Sequence, residues 1–168
     1  QVIVLEYEDI EQNIHKWSGK LIFSALNQFD ILKLPMAVIK AMIDSHSIND
    51  FRTIFLVHDK RFMRLWFEDD FTSLFLTNEE TSFLRSHAIK TYICKENPDI
   101  LKDAYNNKDK YILKHYCLGK SEKVYAGQLT NSNIWNDLFD TGEIDDMILQ
   151  PFVNQKSYPT VWENQTFN

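Results

Sequence analysis

The residues of this sequence best suited to a chemical task lie in one stretch, YILKHYCLGKSEKVYAGQ, at positions 111–128. Lys114 sits on a predicted strand among apolar neighbours, and an ammonium in that setting needs an anionic partner, commonly a nucleotide phosphate. The loop that follows offers Gly119, where backbone can approach a ligand closely, and the charges of Lys120 and Lys123. Such a loop is able to cover a phosphate chain with N–H and ammonium groups. The alternative is an ordinary hairpin with solvated lysines.

A small α+β arrangement is predicted to position these residues. Strand alternation places Lys114 on the same face as Ile112 and on the opposite face from Leu113. The predicted elements are strands at 111–115 and 124–127, a helix capped near Asn131 that carries Trp135, Leu138 and Phe139, and a strand, MILQPFV, at 147–153.

Short helices and strands are also predicted upstream. A run of apolar, mostly β-branched residues predicts a buried strand at 2–5, and Pro35 suits the first turn of a helix that extends to residue 43. Thr77 and Glu80 form a capping box, which predicts a helix at 78–86. The remaining predicted elements are a helical face from Phe51 to Trp66, a strand at 88–94 and a helix from Asn97 to Tyr105.

Composition limits the classes of protein that this chain can represent. Its 168 residues, 44% hydrophobic and 14% aromatic, suffice for one globular domain or two small lobes. An excess of 24 acidic over 18 basic residues disfavours nucleic acid as the main partner. No apolar run reaches the ~18 residues of a membrane span. Cys94 and Cys117 are not spaced as metal ligands, and two cysteines are too few for a disulfide-rich secreted domain. A location in the reducing cytoplasm is therefore expected.

Other candidate residues have simpler structural explanations. His58, His87 and His115 fall on separate predicted elements, so structural histidines are favoured over a metal site. The run EDD at 68–70 resembles a magnesium ligand set, but helix capping explains it better. Trp17 and other tryptophans are expected to anchor the core.

The order of motifs from YILKHYCLGKSEK to MILQPFV resembles the lid of an ATP-grasp enzyme. In that family a strand lysine, a flexible loop, a second strand, a helix and a strand ending in a hinge enclose ATP between two lobes. Upstream, HDKRFMRLWFEDDF and NEETSFLRSHAIKTYIC resemble the segments that precede the lid. The resemblance covers residues 57–153 and extends to the circularly permuted, glutathionylspermidine synthase-like branch. It implies an α/β fold, with residues 1–58 as the end of a preceding domain and 59–168 as an α+β lid with the start of a second lobe.

The resemblance implies nucleotide contacts at matching positions. Lys114 matches the lysine that reaches the α- and β-phosphates, and Lys90 lies where a second cation faces the nucleotide. Gly119 and Lys120 fall in the loop that covers the phosphates. The loop holds one glycine where the family commonly has several, and His115 stands where the family has proline. Phosphate cover is therefore expected to be looser here.

The same resemblance implies an adenine hinge. In the family the hinge backbone reads the adenine edge, and an apolar side chain, here Phe152 or Leu149, packs against the ring. The hinge residues are Gln150, Pro151, Phe152 and Val153.

The expected cofactors are ATP and magnesium, whose ligands follow the hinge in this family. After the hinge, Glu163 and Asn164 form no recognisable magnesium-ligand pair. The sequence is therefore expected to stop before the magnesium ligands. It also starts without methionine. We therefore expect a piece of a longer protein, with its magnesium ligands outside this chain, no catalytic residue of its own, and no activity in isolation.

Three functional hypotheses follow. The first is the nucleotide-covering lid of an ATP-dependent carboxylate-amine or carboxylate-thiol ligase, which uses an acyl phosphate and a small carboxylate or peptide substrate. The second is a non-catalytic nucleotide-sensing or protein-interaction module with a degenerate ATP-grasp fold. The third is a structural α/β domain whose lysine loop is coincidental. Neither nucleic acid nor membrane is an expected partner, and homo-oligomerisation is left open.

Overall fold

The computed structural model describes residues 2–119, 121–154, 160–162 and 165–167, the last two segments by backbone alone. Helices and strands are mixed, which confirms the predicted α/β class. The chain divides into two compact units, Gln1–Phe62 and Met63–Asn168. The predicted division fell after residue 58, and the identity of each unit as a named domain stays a prediction.

The first unit is mainly helical and contains one short parallel strand pair, β1 with β2. Its elements are a 3₁₀ turn at Tyr7–Asp9, α1 (Ile14–Trp17), β1 (Leu21–Ile22), α2 (Gln28–Leu32), α3 (Met36–Ile43), β2 (His46–Ser47) and α4 (Phe51–Val57). Their apolar faces form a core around the fully buried Val38. Asn27 caps α2, and Asp30 completes the capping box. Pro35 directly precedes α3, as its fixed φ favours.

Two predictions in this part of the chain are wrong. The strand predicted at 2–5 is irregular backbone, with Val2 88% and Val4 81% exposed, because no strand in the described part of the chain pairs with it. The helical face predicted from Phe51 to Trp66 is interrupted after Val57. There Asp59 Oδ1 accepts the Arg61 N–H at 2.9 Å, a local side-chain bond that starts a separate 3₁₀ segment, Lys60–Phe67.

The second unit is built on a four-stranded sheet. Its α-helices are α5 (Asp69–Thr72), α6 (Asn78–His87), α7 (Pro98–Asn106) and α8 (Ser132–Asp140). Its strands are β3 (Tyr92–Ile93), β4 (Tyr111–His115), β5 (Val124–Ala126), β6 (Met147–Pro151), β7 (Thr160–Trp162) and β8 (Gln165–Phe167). Short 3₁₀ turns lie at Cys94–Glu96, Lys108–Lys110 and Glu143–Asp146.

Capping bonds confirm the predicted starts of α6 and α8, whereas the predicted cap Asn97 makes no side-chain capping bond at the start of α7. The Thr77 N–H donates to Glu80 Oε2 at 2.8 Å, and Thr77 Oγ1 accepts the Glu80 N–H. Asn131 Oδ1 accepts the Asn133 N–H at 2.9 Å at the start of α8. These bonds satisfy backbone donors that a helix leaves unpaired in its first turn.

The strands of the main sheet lie in the order β3–β6–β4–β5, and every neighbouring pair is antiparallel. β3 is shorter than the strand predicted at 88–94, because the chain turns into a 3₁₀ segment at Cys94. Strands β5 and β6 end at Ala126 and Pro151, earlier than predicted. β7 and β8 form a separate antiparallel pair.

One face of this sheet is covered by α7 and α8. Leu113 and Leu149 on that face are fully buried against Ala104 of α7 and Trp135 of α8. The Trp135 Nε1–H donates to the Ala104 carbonyl oxygen at 3.2 Å. Alternation directs Ile112, Lys114, Ile148 and Gln150 to the opposite face. The predicted placement of Lys114 relative to Leu113 is therefore confirmed.

No helix among the described residues is long and apolar enough to cross a membrane.

Candidate functional site

A cleft of about 460 Å³ opens on the sheet face that carries Lys114. Its volume is in the range of small-molecule sites. It brings together five of the eight predicted nucleotide contacts, namely Lys114, Gln150, Pro151, Phe152 and Val153. The other lining residues are Ile89, Ile112, Gln128 and Asn154. The cleft thus combines one cation with apolar and amide side chains.

Lys114 is half-buried at this cleft. Across the sheet it pairs with Val124 on β5 and Ile148 on β6, both apolar. Its Nζ donates to Gln150 Oε1 at 2.9 Å. Burial lowers the pKa of Lys114 below its usual 10.5, since an ammonium loses hydration there. Among the described residues that line the cleft, none is acidic. The ammonium therefore retains donors and charge for an anionic ligand.

Gln150 is 4% exposed, and both ends of its amide are bonded. Its Nε2 donates to Thr91 Oγ1 at 2.7 Å, and the Thr91 hydroxyl donates in turn to the Ile89 carbonyl oxygen at 3.2 Å. Because Thr91 uses its proton on Ile89, it can only accept from Gln150. This fixes the amide with Oε1 toward Lys114. From the sequence, Gln150 is expected to contact the nucleotide through its backbone, and Thr91 is not among the predicted site residues. A glutamine inside the apolar strand MILQP was the available signal.

The hinge backbone is partly engaged within the fold. The Phe152 N–H donates to the Lys110 carbonyl oxygen at 2.7 Å, and Pro151 has no N–H. Neither residue therefore offers an N–H to an adenine edge. Phe152 and Val153 contribute apolar surface instead, and Val153 is 51% exposed. Leu149 is fully buried on the helix-covered face and does not reach the cleft.

The loop between β4 and β5 does not bring its described charges to the cleft. Lys123 Nζ pairs with Glu143 Oε1 at 2.7 Å, which raises the pKa of Lys123. The Tyr116 N–H donates to the Asp146 carbonyl oxygen, so the loop is bonded to the turn at Glu143–Asp146. Gly119 is exposed and absent from the cleft lining. Lys120 lies outside the described residues.

Lys90 lies in a different cleft, of about 390 Å³. Its Nζ is 5.4 Å from the centroid of the Tyr92 ring. Other lining residues are Arg64, Phe67, Glu68, Arg85, Thr91, Glu96 and Asn97. Arg64 forms ion pairs with Glu68 and Glu96, and Arg85 pairs with Asp69 at 2.7 Å. Carboxylates thus balance both guanidinium groups. The structure does not bring Lys90 together with Lys114.

The glycine that this hairpin requires is Gly127. A Cβ on Gly127 would lie 1.8 Å from the Lys108 carbonyl oxygen, whereas one on Gly119 would meet nothing within 4 Å. The Gly127 N–H donates to the Tyr111 carbonyl oxygen at 2.9 Å, and Lys108 Nζ donates to the Gly127 carbonyl oxygen at 2.5 Å. Sequence reasoning emphasised Gly119, because close backbone packing at Gly127 has no local signature.

No metal site emerges from the part of the chain that the structure describes. Within it, no three His, Cys, Asp or Glu side chains form a group able to hold a metal ion. His87 Nδ1 lies 2.9 Å from the Phe83 carbonyl oxygen, as suits a structural histidine. In the EDD run, Glu68 and Asp69 pair with arginines. Cys94 is buried, and burial, reinforced by Asp145, raises the pKa of its thiol to about 12.

The chain has no match among protein-family models and no significant match among curated proteins. The ATP-grasp resemblance therefore stays a prediction.

Proposed function

We propose that the second unit is the nucleotide-covering lobe of an ATP-grasp type ligase and binds the phosphates of ATP through Lys114. The observation that carries the proposal is a half-buried ammonium that faces a cleft and has a neutral amide as its partner. A buried cation without a carboxylate gains most from an anionic ligand. A phosphate group supplies that charge with several acceptor oxygens.

The rest of the cleft suits a nucleotide. Ile89, Ile112, Phe152 and Val153 give it apolar surface on which a purine can pack, while Gln128 and Asn154 offer amide groups. The antiparallel sheet carries two helices on one face and the Lys114 cleft on the other, an arrangement that supports the lid assignment.

The role of these residues in a ligase is binding and orientation. Lys114 would hold phosphate oxygens, and the apolar wall would hold the base. ATP would supply the phosphoryl group that activates a carboxylate of a small acid or peptide. Magnesium would be held by residues outside the described part of this chain. Positioning and charge neutralisation of this kind account for most of phosphoryl-transfer catalysis.

NMR titration of the 168-residue chain with ATP tests the proposal, because it detects weak binding. We expect shifts at the backbone amides of Ile112, Lys114 and Gln150. The shifts should be lost in Lys114→Met and kept in the matched variant Lys90→Met. Absence of shifts at millimolar ATP, or equal shifts in Lys114→Met, would rule out this role.

A second candidate is a non-catalytic module that senses nucleotides or binds proteins. The loop geometry favours it, because Lys123 pairs with Glu143 and Gly119 does not line the cleft. Phosphates would then be held by Lys114 with little cover. The two candidates differ in ATP turnover. With magnesium and candidate carboxylates supplied, the longest protein that contains this chain should hydrolyse ATP if it is a ligase and should not if it is a non-catalytic module.

A further inference from the structure

Three side chains form a continuous hydrogen-bonded chain from β3's N-terminal side to the cleft. The Thr91 hydroxyl donates to the Ile89 carbonyl oxygen and accepts from Gln150 Nε2 at 2.7 Å. Gln150 Oε1 accepts from Lys114 Nζ at 2.9 Å. Thr91 is 3% exposed and Gln150 4% exposed, so water does not readily replace these bonds. Each member therefore fixes the orientation of the next.

The chemical nature of the central partner matters as much as its position. A carboxylate at residue 150 would also accept from Lys114, but it would neutralise the ammonium charge. The glutamine amide accepts the same hydrogen bond and carries no charge. The described cleft lining contains no other charged side chain than Lys114. The cleft lining therefore keeps a net positive charge, and the hydrogen bond to Gln150 orients the Lys114 ammonium that carries it.

We propose that Thr91 and Gln150 are positioning residues that aim the Lys114 ammonium into the cleft and leave its charge uncompensated, so that the cleft selects a nucleoside polyphosphate over an uncharged nucleoside. This inference rests on the proposed nucleotide binding. It adds two side-chain roles, and it assigns the phosphate selectivity of the site to residue 150. Thr91 acts through Gln150, and Gln150 acts through the lysine.

The first test needs no nucleotide. The pKa of Lys114 is measured from the ¹³C shift of its ε-carbon in the wild type and three variants. We expect Gln150→Glu to raise this pKa through a new ion pair. Thr91→Val removes the hydroxyl that orients the amide and should change the Gln150 side-chain NH₂ shifts and the Lys114 pKa. Thr91→Ser keeps the hydroxyl and should restore the wild-type values. An unchanged Lys114 pKa in both Gln150→Glu and Thr91→Val would overturn the inference.

The second test measures selectivity by titration with ATP and with adenosine. Gln150→Glu should weaken ATP binding about tenfold, equivalent to about 1.4 kcal/mol, and leave adenosine binding unchanged. Equal weakening of both ligands would overturn the selectivity role, because it would indicate damage to the whole cleft. If the wild type binds no ATP, the proposed function fails. The nucleotide-free pKa measurements still decide whether the Thr91–Gln150 positioning exists. Gln150→Glu keeps the test valid if Thr91→Val does not fold.

Discussion

The second unit contains two clefts that meet at the Thr91–Gln150 hydrogen bond and differ in how their charges are balanced. The cleft at Lys90 has three cationic side chains, yet Glu68, Glu96 and Asp69 pair with its two arginines. The cleft at Lys114 has one cation and a neutral partner. The cleft with more basic residues is thus the one in which carboxylates balance the arginines. We expect the cleft with the uncompensated, half-buried charge to bind anions more tightly.

The energetic scale of the two arrangements also differs. Ion pairs between exposed side chains contribute about 0–1 kcal/mol, because water screens them. A hydrogen bond to a charged group that is partly removed from water contributes about 1.5–3 kcal/mol. Changes at the Lys114 cleft should thus have larger effects than changes at the Lys90 cleft.

The largest effect is expected from Gly127→Ala, which introduces a steric clash in the hairpin that carries Lys114. The added Cβ would overlap the Lys108 carbonyl oxygen, and backbone cannot rotate away as a side chain can. We expect a loss of more than about 4 kcal/mol in the free energy of unfolding, measured with urea. Gly119→Ala is the control and should change it by less than about 0.5 kcal/mol. Similar losses in both variants would refute the assigned packing.

A second large effect is expected from Lys114→Met. The substitution keeps an unbranched side chain and removes the charge, so ATP affinity should fall by about ten- to a hundredfold. Lys90→Met removes a cation from the balanced cleft and should leave ATP affinity within about twofold. Calorimetric titration of the two variants compares the clefts directly. Equal effects would mean that the clefts do not differ as described.

A moderate effect is expected from pH. Burial lowers the pKa of Lys114. The side chain is protonated and positively charged below that pKa, and it loses its charge as the pH rises through it. ATP affinity should therefore decline at a lower pH than an ordinary lysine, near 10.5, would give. Lys114→Arg remains charged throughout and should show a flat profile. A wild-type decline that the arginine variant shares would assign the titration to another group.

The smallest effect is expected from Glu96→Gln in the Lys90 cleft. Arg64 retains Glu68, so the variant should lose less than about 1 kcal/mol of stability and keep its affinity for ATP. Thermal unfolding and the ATP titration together check this. A marked gain in ATP binding would show that the second cleft becomes an anion site once its balance is disturbed.

Local signals predicted much of the second unit. The Thr77–Glu80 capping box, Pro98 at the start of α7 and the alternation along β4 each depend on a few neighbouring residues. The alternation also placed Lys114 on the opposite face from Leu113, and the structure shows that α7 and α8 cover the Leu113 face. The strand predicted at 2–5 failed because a strand needs a partner that no local pattern supplies.

The site was predictable only where its residues carry their own chemical signature. Lys114 among apolar neighbours was such a case. The hinge residues came from the resemblance alone, and their predicted role in nucleotide binding stays a prediction. Thr91 and Gly127 were missed because their roles come from contacts with Gln150 and Lys108, which are distant in sequence. Lys123 carries the expected positive charge, but its side chain pairs with Glu143 and does not line the Lys114 cleft.

Gly127 also bears on how far related sequences can diverge. Since the Lys108 backbone occupies the space of a Cβ, no exchange of neighbouring side chains can make room for a larger residue. A sequence that retains this hairpin should retain glycine there, whatever ligand it binds. A Cβ at Gly119 would meet nothing within 4 Å, so this position can accept other residues. Distant relatives of this chain should therefore share Gly127 and differ in the lysine loop, so that a phosphate-loop pattern would be among the first features lost between them.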